Sequence, residues 1–574
     1  MKLTVLLSLL RLGAGLAIGA EVENSATHQW LPPTKHFELN LTWESRAPDG
    51  VAREQFLVNG QFPGPPLIMD EGDNVQVTVN NFSPFNTTIH YHGIEQKGTP
   101  WSDGVPGVSQ RQILPGKQFV SKFTVQQYGS YWYHSHTAGQ IMDGLYGPIY
   151  IRPRSIPKNL TISITNDTLQ QAQIHKAIHS PELVLLSDWI HQTSDELREI
   201  AETADVDIFA VPASLFDECD ATQSAEEVIE VNPSLGWASL NFIGGASISA
   251  PTVSINNHSL WVYEIDGLYI NPIEVQALTI NNGARYSALI QLNQTPGNYS
   301  ITAANSGLNQ KIAAFGTLSY KHGHAVNSTP YINYGAIDLS TDVVTLDETT
   351  IEMLIPSQPS QEPDATHILT VGRVQEAWKW SLNGNHTYDV AFEADKPYLW
   401  DPQSAAKSPL TITTKNNTWV DIVFSLTGSA TVLQPGHPLH KHSNRVYVIV
   451  SASNKLVHEA AEHNLLIFNS KGSGSGDFNY TTVAEAAKAI PESFNLINPP
   501  MRDTFVTLPA FGAETWMAIR YQVLNPGAFL LHCHLDPHLT GGMGLVFLDG
   551  VDAWPSIPAQ YGPDGQWPSV EEDC

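Results

Sequence analysis

Four His-X-His pairs carry the clearest chemical potential in this chain: His90-Tyr-His92, His134-Ser-His136, His440-Lys-His442 and His532-Cys-His534. In an extended strand, side chains i and i+2 share a face, so each pair delivers two imidazoles to one side. Two pairs lie near the start of the chain and two near its end. Eight imidazoles gathered from both ends suffice to hold several metal ions at a domain interface, and neutral imidazole is a good ligand for copper. One such pair would mean little. His322-Gly-His324 has the same spacing but sits between Lys321 and Ala325 in apparent loop, and reads as unrelated to metal.

Cys533 sharpens the reading. It lies between His532 and His534, so on a strand its sulfur faces away from their imidazoles and can serve a second centre. His538 and Met543 follow at five-residue intervals, and His437 precedes His440 by three. Together they supply two imidazoles, one thiolate and a soft thioether, the donor set of a blue-copper electron-transfer site. A reductant can then give single electrons at the Cys533 centre, and the peptide neighbours of Cys533 lead to a cluster able to reduce O₂ to two waters.

Strands must present these pairs, and the chain around them reads as strands. Phe37 to Trp43, Gln55 to Val58, Asn74 to Asn80, Phe119 to Val125 and Tyr131 to His136 follow one another as strand after strand. Turn signals such as Pro63-Gly-Pro65 and Leu114-Pro-Gly116 separate them, which predicts one antiparallel sandwich over residues 34–155. A second β-rich unit runs over 156–345, with a helical insertion at Ser194 to Phe209, and a third over 346–574. The third carries a flexible Lys471 to Gly476 loop and a short helix near Thr482 to Ala489. The fold class is all-β, three sandwiches in a row.

Composition agrees. A chain of 574 residues with 38 Pro and 41 Gly is too long for one core and suits sandwiches better than helical bundles. The net charge of −28 argues against nucleic acid as a partner. Lys2, the apolar Leu3 to Leu10 and the small residues Ala17 to Ala20 predict a secretion signal over 1–20, with no stable membrane anchor. About a dozen Asn-X-Ser/Thr sites, among them Asn40, Asn86, Asn298 and Asn416, fit a secreted, extracellular or cell-wall glycoprotein. Of three cysteines, Cys219 and Cys574 remain as a possible pair if Cys533 binds metal.

The segments His90-Tyr-His-Gly93, Tyr131 to His136, His437 to His442 and His532 to His538 with Gly541-Gly-Met-Gly544 resemble the four copper signatures of multicopper oxidases. Gly98 to Gly104 and Gln127 to Trp132 are similar to fungal laccase-like enzymes of conidial pigment and secondary-metabolite pathways. The resemblance implies three cupredoxin-like Greek-key domains and about four copper ions. It implies type 1 copper on His437, Cys533 and His538 with Met543 axial, and type 2 copper on His90 and His440. The type 3 pair falls to His92, His134, His136, His442, His532 and His534. Asp103 and Asp536 match acids near the trinuclear cluster, Asp103 as one that helps move protons, although Ser102-Asp-Gly104 is also an ordinary turn sequence.

The chain also departs from many laccases. Lys441 stands where an apolar residue is usual, followed by Ser443-Asn444, and should point away from the imidazoles. Met543 replaces the Leu or Phe of many fungal laccases and predicts a lower type 1 potential. Ser247 to Pro251 offers no substrate-binding carboxylate, and nearby Glu264 and Asp266 read as structural as readily as functional. The implied reaction is oxidation of phenols or polyketide naphthols by O₂. A ferroxidase or ascorbate oxidase of the same family is the nearest alternative, and a copper carrier or store leaves the eight paired histidines unexplained.

Overall fold

The computed structural model describes residues 3–10, 34–204, 227–307, 310–320, 324–326, 328–428, 434–449, 478–510 and 514–570. Cys219, Cys574, His322, the 471–476 loop and the expected cleavage region near Ala20 lie outside the described residues. So does the end of the expected helical insertion.

Among the described residues six sheets form three successive pairs. The first pair joins a sheet built on Thr34–Arg46 and Asn74–Asn81 with one built on Gly129–His134 and Tyr146–Arg152. The second pair centres on Trp237–Gly244 and Gly297–Gly307, and the third on Trp419–Leu426 and Gly527–Cys533. Each encloses its own apolar core. The sheets are mixed, which corrects the antiparallel expectation for the first sandwich. Thr34–Arg46 runs parallel to Asn74–Asn81, and Leu67–Asp70 parallel to Tyr146–Arg152. Strands that enter a sheet by crossing over from the other layer, not by a hairpin, arrive in the parallel sense.

Period-2 alternation in one strand explains how the first and third sandwiches meet. Along Gly527–Cys533, Ala528 and Leu530 pack into the core of the first sandwich, whereas Leu531 and Cys533 pack into that of the third. His532 therefore faces the junction and Cys533 the interior behind it. The neighbouring strand Pro438–Lys441 is in register, with Leu439 opposite Cys533 and His440 opposite His532. Across the junction His90 lies opposite His134 on paired strands.

Among the described residues three helices decorate the second sandwich: α1 (Lys158–Ile164), α2 (Thr168–His179) and α3 (Ser194–Thr203). The sequence reading found only α3. In α2 the buried residues are Ile174, Ala177 and Ile178 alone, too sparse a stripe to read, and Asp167 caps it by accepting from the Leu169 and Gln170 N–H groups. Val483–Ala489 forms the short helix expected near 482–489, with Thr482 as its cap. Leu3–Leu10 pairs with Glu182–Ile190 at a sheet edge, where an apolar extended run satisfies otherwise unpaired backbone.

Candidate metal centre

All ten histidines singled out from the sequence, with Cys533, are buried at two adjacent places. In the larger, His136 Nε2 stands 3.2 Å from His442 Nε2 and 3.4 Å from His532 Nε2, and the last two are 3.1 Å apart. Three imidazoles around one first-row ion, each about 2.0–2.1 Å from it, would hold their nitrogens about 3.4 Å from one another. His92 Nδ1 lies 3.2 Å from His534 Nε2, and His90, His92 and His134 converge beside them. His90 and His440 complete the ring of eight.

The backbone decides which nitrogen each ring offers. The Nδ1–H of His90 donates to the Asp103 carbonyl (2.6 Å), that of His134 to Ser135 (2.8 Å), that of His440 to Asp503 (2.9 Å) and that of His532 to Cys533 (2.8 Å). Each leaves Nε2 with its lone pair toward the centre. The Nε2 atoms of His90, His134 and His440 are buried with no hydrogen-bond partner in the protein. His92 is reversed: its Nε2 meets Thr504 Oγ1 at 3.1 Å, and Nδ1 is the atom left for a ligand. Burial drives these imidazoles far below the ordinary histidine range, His532 to about 4, which keeps them neutral and able to bind metal. Partnerless, convergent and neutral nitrogens are what a metal cluster requires, and the donors fit copper.

Behind this ring lies the smaller centre. Cys533 Sγ stands 3.8 Å from His437 Nδ1 and 3.6 Å from His538 Nδ1, which are 3.1 Å from each other. Burial pushes the Cys533 thiol well up, so only a bound cation would make it a thiolate here. Met543 is fully buried in the same core cluster; its N–H donates to the His538 carbonyl and its carbonyl accepts from the Cys533 N–H. Trp380 packs against both histidines, with ring centroids 4.5 Å from His538 and 5.0 Å from His437.

Asp103 joins two ligands. Its Oδ2 accepts from His442 Nδ1 (3.0 Å), its Oδ1 from Ser443 Oγ (3.1 Å), and its carbonyl from His90. Gly104 makes this placement possible: at φ +83° its backbone passes directly under the Ile89 carbonyl, where a Cβ would collide. Burial pushes the Asp103 carboxyl up to about 7. Asp536 is placed differently. It touches no imidazole through a hydrogen bond among the described residues, but it lines a narrow cavity with His134, His136, His532 and His534. Its Oδ2 is buried without a partner, and burial, aided by Asp143 and Asp188, raises it to about 7.

Glu264 and Asp266 are structural. Glu264 accepts from Ser287 Oγ (3.0 Å), and Asp266 bonds Arg502 (3.0 Å) and the Arg285 N–H (2.9 Å). Sequence reasoning missed Asp503, whose carboxylate grips Arg285 through two bonds of 2.5 and 2.6 Å and lies 3.5 Å from His92 Nε2. Arg285 is 218 residues away, so no local spacing could announce the pair. It also missed Asp188. The acid-free segment Ser247 to Ser249 wraps that carboxylate with three backbone N–H groups and two hydroxyls, so all its acceptor capacity is spent on the loop.

Beside the Cys533 centre a cleft with about 420 Å³ of open space is lined by Met142, Leu197, Trp378, Trp380, Pro537 and His538, among others. Among the described residues no carboxylate lines it.

Three models of a family described as multicopper oxidase match residues 40–156, 182–323 and 361–553. The chain is 40% identical to the laccase abr2 of Aspergillus fumigatus, over 92% of this chain and 96% of that one. It is 37% identical to the multicopper oxidase GIP1 of Gibberella zeae, over 92% and 85%. Its fold is similar to Fet3p, a multicopper oxidase that functions in iron import, with TM-score 0.69 and 22% identity over 92% of this chain and 93% of that one.

Proposed function

Because the chain belongs to the multicopper oxidase family, as a laccase-like copper enzyme of three cupredoxin-like domains, we propose that it oxidises phenolic or polyketide naphthol donors by single electrons. The observation that carries this reading is the cleft beside His538, whose Leu197, Trp378 and Trp380 suit a flat aromatic donor. Radicals so made couple into pigment or another secondary metabolite.

The family uses one type 1, one type 2 and a pair of type 3 coppers. We assign His437, Cys533, His538 and Met543 to the type 1 ion, and His90 with His440 to the type 2 ion. His92, His134 and His534 then hold one type 3 ion, and His136, His442 and His532 the other. When bound, the copper supplies the one-electron oxidation of the donor and the four-electron reduction of O₂ to water.

The protein's own part is to separate and connect these tasks. Cys533 is joined by peptide bonds to both His532 and His534, so the two centres are linked through a few covalent bonds of one strand. Trp380, edge-on to His437 and tilted over His538, shields the mononuclear centre from water. Asp103 orients His442 and His90, while Asp536, its carboxyl raised by burial, lines the cavity beside the imidazoles where it can deliver a proton to a reaction that consumes protons.

Fe(II) fits less well, since such a cation wants carboxylate oxygens and among the described residues none lines the cleft. No helix among the described residues is long and apolar enough to cross a membrane. We read residues 1–20 as a secretion signal and place the mature, glycosylated chain outside the cell or in its wall. Oxygen uptake by copper-loaded protein, offered a naphthol, a simple diphenol, ascorbate and Fe(II) in parallel, tests the reading. Fast uptake with the naphthol supports it, and preference for Fe(II) or ascorbate overturns the substrate class.

A further inference from the structure

Among the described residues the cleft beside His538 has one charged lining side chain, and that charge is positive: Arg198, on α3. In a chain with 57 acidic and 29 basic residues this sign is unexpected on composition alone. Two more cations stand near the same wall. Lys379 Nζ lies 5.2 Å over the Trp378 ring, and the Arg373 guanidinium 4.8 Å over Trp380. Among the described residues the acids nearby are Asp195 and Glu202, which pair with Arg198, Glu376, which pairs with Lys379, and buried Glu393, which Arg198 favours in its charged form through space. The three paired acids are half or more exposed, and none of the four lines the cleft. Pairs of this kind on a helix surface are weak and readily exchanged for a better partner.

Arg198 is also held where it can act. A capping box of Thr193 and Glu196 starts α3. Ser194 donates through its N–H (3.0 Å) and hydroxyl (2.5 Å) to Asp143, itself paired with buried Arg53. Leu197 and Ala201 bury the inner face of the helix against Met142, Ile190, Ile312 and Ala314. The wall opposite offers two further donors, because the indole N–H groups of Trp378 and Trp380 are buried without a hydrogen-bond partner. Buried indole donors ordinarily find an acceptor, and here the cleft is where one could enter.

We propose that this cleft selects aromatic electron donors bearing a carboxylate, with Arg198 as the residue that reads the charge; this rests on the oxidase reading above and narrows its substrate class. A carboxylate matches the guanidinium fork through two parallel bonds and stays ionised across the acidic to neutral range. The indole rings take the aromatic body, and the donor brings the negative charge that the lining lacks.

The test uses copper-loaded full-length protein and Arg198→Met and Arg198→Lys variants, with 1,4-dihydroxy-2-naphthoate and its methyl ester as matched donors. Wild type is expected to favour the acid by about tenfold or more in KM. Arg198→Met should erase that preference with kcat and the ester unchanged, and Arg198→Lys should keep part of it. Binding of non-oxidisable 2-naphthoate to copper-depleted protein, followed by calorimetry, should weaken in parallel in Arg198→Met. An unchanged acid-to-ester ratio in Arg198→Met, or equal loss on both donors, overturns the inference alone. Failure of wild type to oxidise either donor or plain naphthol would instead bring down the oxidase reading.

Discussion

Lys441 Nζ lies 2.8 Å from Asp549 Oδ2, and both side chains are wholly buried behind the metal-binding face. The ammonium is ringed by Tyr521, Phe529 and Phe547 at 5.0–5.6 Å. Asp549 accepts further from Thr414 (2.9 Å), Tyr521 (2.8 Å) and Asn444 (3.2 Å). The residue between His440 and His442 thus acts as a bolt through the strand, and Ser443 and Asn444 serve the same assembly by bonding Asp103 and Asp549.

Removing one member of such a pair leaves a buried charge alone. Lys441→Met should destabilise the protein by about 3–5 kcal/mol, and Lys441→Met with Asp549→Asn should recover a large part of it. Urea unfolding of the two single variants and the double variant measures this. Additive losses would show that the pair does not couple.

Asp103 and Asp536 should separate by phenotype. Asp103→Ala strips His442 and Ser443 of their acceptor and should lower copper retention about 10–100-fold, together with activity. Asp536→Asn breaks no hydrogen bond to an imidazole, so full copper with a fall in kcat of about 100-fold is expected. Metal analysis beside steady-state kinetics distinguishes them, and copper loss in Asp536→Asn would refute its proton role.

Met543→Leu removes the buried thioether next to the Cys533 centre while keeping volume close. A thioether stabilises oxidised copper, so the variant's type 1 potential should rise. Redox titration of the blue absorbance reads this directly, and an unmoved potential would mean that the Met543 sulfur is not a ligand.

Copper-free protein should be most stable near pH 6.5. The ten buried histidines have folded values below the ordinary 6.5, His532 about 4 and His538 about 3. Below pH 6.5 the unfolded chain therefore binds more protons at these sites, and stability falls with acidification. Asp103, Glu264 and Asp536, raised to about 7, and Glu393, raised to about 8, act in the other sense. The folded state keeps their protons until pH 7–8 while the unfolded chain releases them near pH 4, so their contribution falls away as pH rises from about 4 to 7–8. Between pH 4 and 6.5 the two groups oppose each other, and the ten histidines outnumber the six raised carboxyls, Asp143 and Asp421 included. Urea midpoints at pH 5, 6.5 and 8 check the shape; a steady rise to pH 8 would contradict it.

The chain by itself determined the chemistry: strand alternation puts each His-X-His pair on one face and Cys533 on the other, whatever the rest of the fold does. The same two-residue period required Lys441 to turn inward, and the capping residues Thr193 and Thr482 mark helix starts that the structure contains. These are local rules, acting within a few residues. Tertiary structure decided everything that depends on contacts across hundreds of residues. It brings Asp103 to His442, 339 residues on, closes Asp503 on Arg285, wraps Ser247 to Ser249 around Asp188, and sets Arg198 against Trp378 at the donor cleft. A parallel strand pairing or a sparse helix such as α2 leaves little periodic trace. The partner of a buried charge leaves none, because only the closed interface excludes the water that would otherwise be its partner.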